Sequence, residues 1–120
     1  MTVVNLINVA TITPVMAAGA VTTSRAAIVD VAADKVAKIN SLIIANIDGA
    51  NAADITVEVS IDDGSSYVAI AKTISVPADA TLVVVGKDNG FYLDETDILA
   101  VTASAASDLT YLVSYELMTD

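Results

Sequence analysis

Turn-forming residues recur along this chain about every ten residues, and the segments between them are short and rich in β-branched side chains. This spacing is typical of antiparallel β-sandwiches and barrels, in which each strand must reverse before the next begins. No segment of useful length shows the 3.6-residue apolar period of a helix. The sequence therefore predicts an all-β fold. We expect a single antiparallel β-sandwich of about eight or nine short strands, with jelly-roll or immunoglobulin-like topology.

The clearest strand is predicted at residues 55–61, with the sequence ITVEVSI, where apolar and polar side chains alternate strictly. Alternation with period 2 places one face of a strand in the core and the other in solvent. The side chains predicted to be buried are Ile55, Val57, Val59 and Ile61, and those predicted to be exposed are Thr56, Glu58 and Ser60.

Four other segments also allow predictions of burial or irregularity. At residues 35–47 the predicted inward side chains are Ala37, Ile39, Ser41, Ile43, Ala45 and Ile47. Residues 81–85 are continuously apolar, which predicts burial on both faces. Lys72 interrupts an apolar strand at residues 66–76 and indicates a β-bulge. In the last strand the side chains predicted to share one face are Leu109, Tyr111, Val113, Tyr115 and Leu117.

The first 30 residues are predicted to form a strand and a loose connection, ahead of a sandwich body at residues 31–120, in one domain. The strand is expected at residues 3–12, and residues 15–23 are expected to form either the loose connection or a short strand. Two interpretations of residues 1–12 remain open: an arm that reaches a neighbouring subunit, or an ordinary first strand paired within its own domain. The candidate interface residues are Val3, Val4, Leu6, Ile7, Tyr111 and Tyr115. The two tyrosines could instead pack at the rim of the core.

The composition removes most catalytic chemistry. The chain has no Cys and no His, which excludes thiolate metal sites, cysteine nucleophiles and the commonest general base. Its net charge of −10 opposes binding to a phosphate backbone. The apolar residues 3–21 are broken by Asn5, Asn8 and Pro14 and follow no basic segment, so neither a signal peptide nor a membrane span is predicted. We expect a protein that is not an enzyme, with no catalytic, cofactor-binding or metal-binding residue and no nucleic-acid or membrane partner.

Carboxylates are the only plentiful reactive groups, and they cluster in turns. Asp62 and Asp63 lack the spacing of a calcium loop, and the run at residues 94–97 is the other candidate cation site. Aspartates in turns commonly complete turn hydrogen bonds, and this interpretation is favoured for both segments. Arg25 is the single arginine. It is predicted to form a structural ion pair with an acid such as Asp30 or Asp34, and the alternative is that it anchors a partner protein.

A family resemblance begins at residues 38–49, with the sequence KINSLIIANIDG. It continues through ITVEVSI, YVAIAKTISVPADATLVVV and FYLDETDILAVTASAASDLTYLVSYE. This order of strands and turns, over about residues 35 to 118, resembles small all-β virion proteins of tailed bacteriophages, particularly those of marine cyanobacterial phages. The shared residues form turns and alternating core positions, so they specify a fold more than an activity. The resemblance implies a structural protein of the virion.

Three functions are compatible with this sequence. The first is a capsid decoration or cement protein on the virion exterior, which binds the major capsid protein after assembly in the host cytoplasm and forms a homo-oligomer, with a trimer favoured. The second is a neck, tail or fibre accessory protein of the same fold. The third is a carbohydrate-binding module or adhesin, for which one Phe and no Trp supply a poor aromatic platform.

Overall fold

The structure, a computed structural model, describes residues 4–120 and confirms the all-β class. Its strands are β1 (Thr11–Ala20), β2 (Ala26–Asp30), β3 (Lys35–Asn46), β4 (Ala53–Ser60), β5 (Val68–Val76), β6 (Thr81–Val85), β7 (Phe91–Leu93), β8 (Ile98–Ala103) and β9 (Leu109–Thr119). A short 3-10 helix at Lys87–Asn89 separates β6 from β7. Across residues 4–120, no helix has the length and apolar character needed to cross a membrane.

The strands form two antiparallel sheets that enclose one core, as the predicted sandwich requires. The first sheet has the order β1-β9-β3-β6, with β7 also paired to β3, and the second has the order β2-β8-β4-β5. The pairs β1/β9, β2/β8, β3/β6 and β4/β5 nest like one long hairpin with its tip between β4 and β5. Rolling this hairpin up brings β9 beside β3 and β8 beside β4. The strand order is therefore that of a jelly roll, one of the two predicted topologies.

The core consists of aliphatic side chains from both sheets. The largest fully buried ones include Ile39, Leu42, Ile44, Ile55, Val57, Leu99, Val101 and Leu109. In β9, Leu109 and Val113 are buried, and Tyr111, Tyr115 and Leu117 pack against the same cluster. The predicted common face of the last strand is confirmed.

The predicted register of β3 is correct only as far as Ile39. Ile39 lies opposite Tyr115 on β9 while Ser41 lies opposite Ser114, so Asn40 is an extra residue in β3. Such a bulge exchanges the two faces of the strand after it, because side chains alternate with period 2. Beyond it, the buried side chains are Leu42, Ile44 and Asn46, and the prediction that Ser41, Ile43, Ala45 and Ile47 point inward is wrong.

The predicted register of β4 fails at the end of the strand. Ile55 and Val57 are buried as expected, but Ser60 is buried and Ile61 is 76% exposed. The strand ends at Ser60, whose hydroxyl oxygen accepts a hydrogen bond from the amide of Gly64 at 2.8 Å. The turn therefore holds Ser60 inward and releases Ile61 to solvent.

The two predictions for the sheet edges have opposite outcomes. Burial of β6 on both faces is wrong, because β6 lies at the edge of the first sheet and Val83 is 59% exposed. The bulge predicted at Lys72 in β5 is confirmed. Ile55 lies opposite Ile74 and Val57 lies opposite Ala71, so β5 has one residue more than β4 between these pairs. Thr73, beside Lys72, has a φ of 47°.

The first strand lies later in the chain than predicted. β1 spans Thr11–Ala20 and pairs with β9 along its whole length, so residues expected in a loose connection or a short strand belong to a sheet. Residues 6–10 contain turns and bends instead of a strand. Residues 11–30 thus supply strands to both sheets. The division into an arm at residues 1–30 and a body at residues 31–120 remains a prediction.

Candidate docking surface

The acidic turns are held by hydrogen bonds within themselves. Asp62 accepts hydrogen bonds from the hydroxyls of Ser60 and Ser66 and from the Ser66 amide. The bonds from Ser66 hold the pKa of Asp62 below its usual range. Asp48 likewise accepts a hydrogen bond from the Ala50 amide at 2.8 Å, which lowers its pKa. Across residues 4–120, no three carboxylates are grouped so that they could hold a metal ion. The absence of a metal site remains a prediction.

The turn at residues 94–97 connects two loops through a buried carboxylate. Glu95 is buried, and its Oε2 accepts a hydrogen bond from the Asp34 amide at 2.8 Å. Asp97 Oδ2 accepts a hydrogen bond from the Asp94 amide at 2.9 Å, and burial raises the pKa of Asp97. These contacts fix the loop before β3 against the loop before β8, which is a structural role.

Arg25 forms an ion pair on the outside of the second sheet, but with a different partner from the predicted ones. Its Nε donates to Glu58 Oε1 at 3.0 Å and its Nη2 to Glu58 Oε2 at 3.2 Å. The guanidinium carbon lies 3.9 Å from the centre of the Tyr67 ring. The predicted pairing with Asp30 or Asp34 is wrong, because Arg25 lies just before β2 and reaches Glu58 on β4 across the intervening β8.

Of the predicted interface residues near the N-terminus, Val3 lies outside the described residues. Val4 is buried in a small cluster with Val36 and Met118, on the side of β3 and β9 that faces away from the main core. Leu6 and Ile7 are exposed, Ile7 by 91%. Their role in an interface, and the arm interpretation of residues 1–12, remain predictions.

Tyr111 and Tyr115 lie on the core-facing side of β9. Both side chains are partly buried and pack against the main core cluster. The structure places both tyrosines at the rim of the core, and their role in an interface remains a prediction.

Side chains on the solvent side of the first sheet form rows that cross it from edge to edge. In the central row, Ala18 lies opposite Leu112, Leu112 opposite Ile43, and Ile43 opposite Val83. Flanking rows contain Ala20, Thr110, Ala45 and Thr81 on one side, and Met16, Ser114 and Ser41 on the other. These side chains are called the outer face below. The most exposed large ones are Met16, at 67%, and Val83.

No side chain of the outer face is charged, although the chain carries a net charge of −10. Charged side chains border it, since Glu116 lies opposite Lys38 in the next row and Ser41 lines a depression together with Lys87 and Asp88. The second sheet differs, because Arg25 and Glu58 form their ion pair on its solvent side. A surface of this extent without charge is typical of the part of a protein that contacts another protein. The outer face is the candidate docking surface.

The sequence analysis did not identify this surface. Ile43 and Ala45 were assigned to the core because the bulge at Asn40 was not anticipated. An Asn within an apolar strand was the available signal for that bulge. The alignment of Ala18 with Leu112 depends on β1 pairing with β9, which no local pattern reveals.

A second apolar surface lies at the open side of the sandwich, between β5 and β7. It is a groove of about 260 Å³, and its lining includes Val59, Ile61, Val68, Ile70 and Tyr92. Lys38 Nζ lies 5.9 Å from the centre of the Tyr92 ring at its margin. Asp97 also lines this groove, so the groove itself contains a charged side chain, whereas the outer face contains none.

Comparison with known proteins gives distant structural likeness only. No protein-family model matches the chain, and no curated protein matches it. A solved structure of Bacillus endospore appendages, described as disulfide-linked pili, is 14% identical with a TM-score of 0.43, over 91% of this chain and 87% of that one. Two structures of a pentameric capsid protein from metagenomic phage sequences are 18% identical with TM-scores of 0.40, over 96% of this chain. This chain spans 62% and 67% of those capsid chains. At these TM-scores the likeness assigns no function.

Proposed function

We propose that this protein is a structural, non-catalytic component of a phage virion. It binds other virion proteins through the outer face of its first sheet. In the favoured form of the proposal it decorates the exterior of the capsid and binds the major capsid protein. The single observation that carries the proposal is the uncharged outer face on an otherwise strongly acidic protein.

The chemistry of the outer face supports contact with a folded protein surface. Its rows combine apolar side chains with the small hydroxyls of Ser41, Ser114 and Thr110. Such a surface can lose its water without leaving a charge unpaired. Burial of an unpaired charge is the largest cost when a polar surface is covered. The acidic remainder of the protein keeps an assembled particle soluble.

The family resemblance of residues 35–118 supplies the virion context. Jelly rolls also occur in lectins and cupins, so the fold by itself does not select a function. Asp62 and Asp48 accept hydrogen bonds from residues of their own turns. This is consistent with a protein whose function is adhesion to neighbouring subunits. The trimer favoured for a decoration protein remains a prediction.

The proposal can be tested with two matched variants, in each of which one alanine is replaced by glutamate. Ala45→Glu places a carboxylate within the outer face, whereas Ala27→Glu places one on β2, at the edge of the second sheet. Both variants have the same net charge. We expect Ala45→Glu to abolish co-sedimentation with virion particles stripped of this protein, and Ala27→Glu to bind like the original chain. Equal binding of both variants would contradict the assignment of the outer face.

The position in the virion is tested separately by copy number. A decoration protein should be present in a fixed, high ratio to the major capsid protein in purified virions, measured by quantitative gel densitometry. A few copies per particle would instead place the protein in the neck, tail or fibres. Its absence from purified virions would contradict the virion proposal itself.

A further inference from the structure

The edges of the two sheets are protected to different degrees. The edge strand β5 carries Lys72 at its bulge, and β2 has five residues, a bulge and a terminal Asp30. At the other edge of the first sheet, β6 and β7 have five and three residues. Bulges, charges and short lengths are the usual devices that prevent edge strands from pairing with another chain. β1 is ten residues long without a bulge or a charged side chain, and its one protecting residue is Pro14, which leaves the six residues from Val15 to Ala20 unprotected.

The free backbone groups of β1 can be assigned from its pairing with β9. The amide of Val21 donates to the carbonyl of Leu109 at 2.9 Å, and these residues are opposite each other in the register. Hydrogen-bonded and outward-facing residues alternate along an antiparallel strand. The N–H and C=O groups of Met16, Ala18 and Ala20 therefore point away from the sheet. Across residues 4–120, β1 has β9 as its single neighbouring strand, and no loop backbone bonds to these amides.

We propose that β1 pairs antiparallel with β1 of a second copy of this chain, about a twofold axis at Ala18. In this register Ala18 lies opposite Ala18 of the second copy, and Met16 lies opposite Ala20. Each of the three outward-facing pairs exchanges two hydrogen bonds, which gives about six in total. The two first sheets join into one continuous sheet, and the two outer faces lie side by side on it.

Pro14 selects this register over its neighbours. The ring nitrogen of Pro14 also points outward by the same alternation, and it has no hydrogen to donate. With the axis at Ala18, Pro14 lies opposite Thr22, beyond the end of β1. A shift of two residues one way keeps about six hydrogen bonds but sets the Pro14 ring, at both ends, against an Ala20 carbonyl to which it cannot donate, and a shift the other way leaves two pairs with about four bonds. The chosen register also sets the large side chain of Met16 against the small one of Ala20, which favours a second copy as the occupant.

The strength of this pairing follows from its length and from the charge of the protein. A paired segment of about seven residues is about 24 Å long, which gives a smaller contact than a standard stable interface. Two copies, each with a net charge of −10, also repel each other at a distance. We therefore expect a weak dimer that becomes tighter as salt screens the repulsion. This inference does not depend on the virion role.

The test is sedimentation velocity of the full chain over a range of protein and salt concentrations, with three variants. Ala18→Pro removes the central outward donor from each copy, and Ala18→Lys places two positive charges across the axis. Thr81→Lys makes the same charge change on β6, at the opposite edge of the same sheet. We expect both Ala18 variants to raise the dimer dissociation constant by about tenfold or more, and Thr81→Lys to leave it unchanged or lower it.

Amide hydrogen exchange measured by NMR distinguishes edge pairing from any other dimer. The amides of Met16, Ala18 and Ala20 should become protected as the protein concentration rises, while those of Ala17 and Gly19 are protected throughout. If circular dichroism shows that Ala18→Pro does not fold, the test of β1 pairing is made with Ala18→Lys and with the hydrogen-exchange pattern. The inference is overturned by a monomer at every protein and salt concentration, by a dimer insensitive to the Ala18 variants, or by a trimer in which these amides stay unprotected.

Discussion

The ring of Tyr111 on β9 lies against Gly19 on the neighbouring strand β1, so that a Cβ atom at Gly19 would be 3.3 Å from Tyr111 Cε1. An aromatic ring that lies over a glycine of an adjacent strand covers the glycine backbone, because glycine has no side chain to cover it. This contact fixes the C-terminal half of β1 to β9. It also explains why Tyr111 packs at the rim of the core.

Gly19→Val should destabilise the protein, because its branched side chain would occupy the space of the Tyr111 ring. Overpacking of this kind costs about 1 to 3 kcal/mol. The matched control is Ala18→Val, which adds methyl groups at an exposed position on the opposite side of the same strand. Urea denaturation of both variants measures the difference. Equal stability would show that the ring moves aside without cost.

Val57→Asp should prevent folding, because Val57 is fully buried and the new carboxylate would have no partner. The control is Ile61→Asp, four residues further along, where the side chain is exposed. We expect Ile61→Asp to keep the circular dichroism spectrum and nearly the same melting temperature. A folded Val57→Asp variant would mean that the register of β4 is wrong.

Asn46→Asp should destabilise the protein strongly, because buried Asn46 is held by both ends of its amide. Its Nδ2 donates to the carbonyls of Asn51 and Val76. Its Oδ1 accepts a hydrogen bond from the Asp48 amide. A carboxylate at this position would face two carbonyl oxygens without a proton to donate.

We expect this variant to lose about 2 to 4 kcal/mol of unfolding free energy at pH 7, measured in urea. Asn51→Ala serves as the control, because it removes an exposed side chain and retains the backbone carbonyl that Asn46 contacts. A loss in Asn51→Ala as large as in Asn46→Asp would locate the effect in the turn and not in the buried amide.

Two aspartates should contribute to the pH dependence of stability with opposite signs. The pKa of Asp97 is raised by burial, so its charge disfavours the folded state above that pKa, and the penalty disappears as pH falls below the unfolded value near 3.8. The pKa of Asp62 is lowered by the bonds from Ser66, so its charge favours the folded state, and this contribution is lost as pH falls below 3.8.

Asp97→Asn is therefore expected to be at least as stable as the original chain at pH 7, and Asp62→Asn to be less stable. The Asp97→Asn difference should shrink towards zero as pH falls below 3.8, whereas the Asp62→Asn difference should shrink only as pH falls further, through the lowered folded-state pKa of Asp62. Urea denaturation at pH 7 and at pH 3 measures the free energy of unfolding of each variant relative to the original chain. A loss of stability in Asp97→Asn that persists at pH 3 would show that packing, and not charge, dominates at this position.

Deletion of residues 2–9 should leave a folded β-protein, because β1 begins at Thr11. The deletion uncovers Val36 and Met118, which Val4 covers in the full chain. Loss of this contact is expected to cost about 1 to 2 kcal/mol. Ile7→Ser, at a position that is 91% exposed, should cost almost nothing. The arm interpretation predicts a different result for the deletion: unchanged monomer stability and loss of binding to particles.

The fold class was predictable from the sequence because strand and turn signals are local. Strict alternation fixed the inward direction of Ile55 and Val57, and the charge of Lys72 revealed the bulge in β5. In residues 35–47 both alternating sets contain apolar side chains, so periodicity could not detect the change of face at Asn40.

The candidate docking surface was not predictable, because it depends on strand order. Ala18 and Leu112 are neighbours only because the first and last strands pair. A short apolar strand such as β6 has the same local sequence whether it lies inside a sheet or at its edge. Long-range pairing leaves no local signal in a single sequence.

The nested pairing of the strands also determines when this chain can fold on a ribosome. β9 is synthesised after the other eight strands, yet it lies in the middle of the first sheet, between β1 and β3. Until it leaves the exit tunnel, β1 has no partner and β3 presents an unpaired edge. Sheets closed by such distant segments form slowly, and their incomplete forms are prone to aggregate. β1 therefore cannot be placed in its sheet until Leu109–Thr119 have left the tunnel, and a ribosome that stalls before them holds a nascent chain with the centre of one sheet missing.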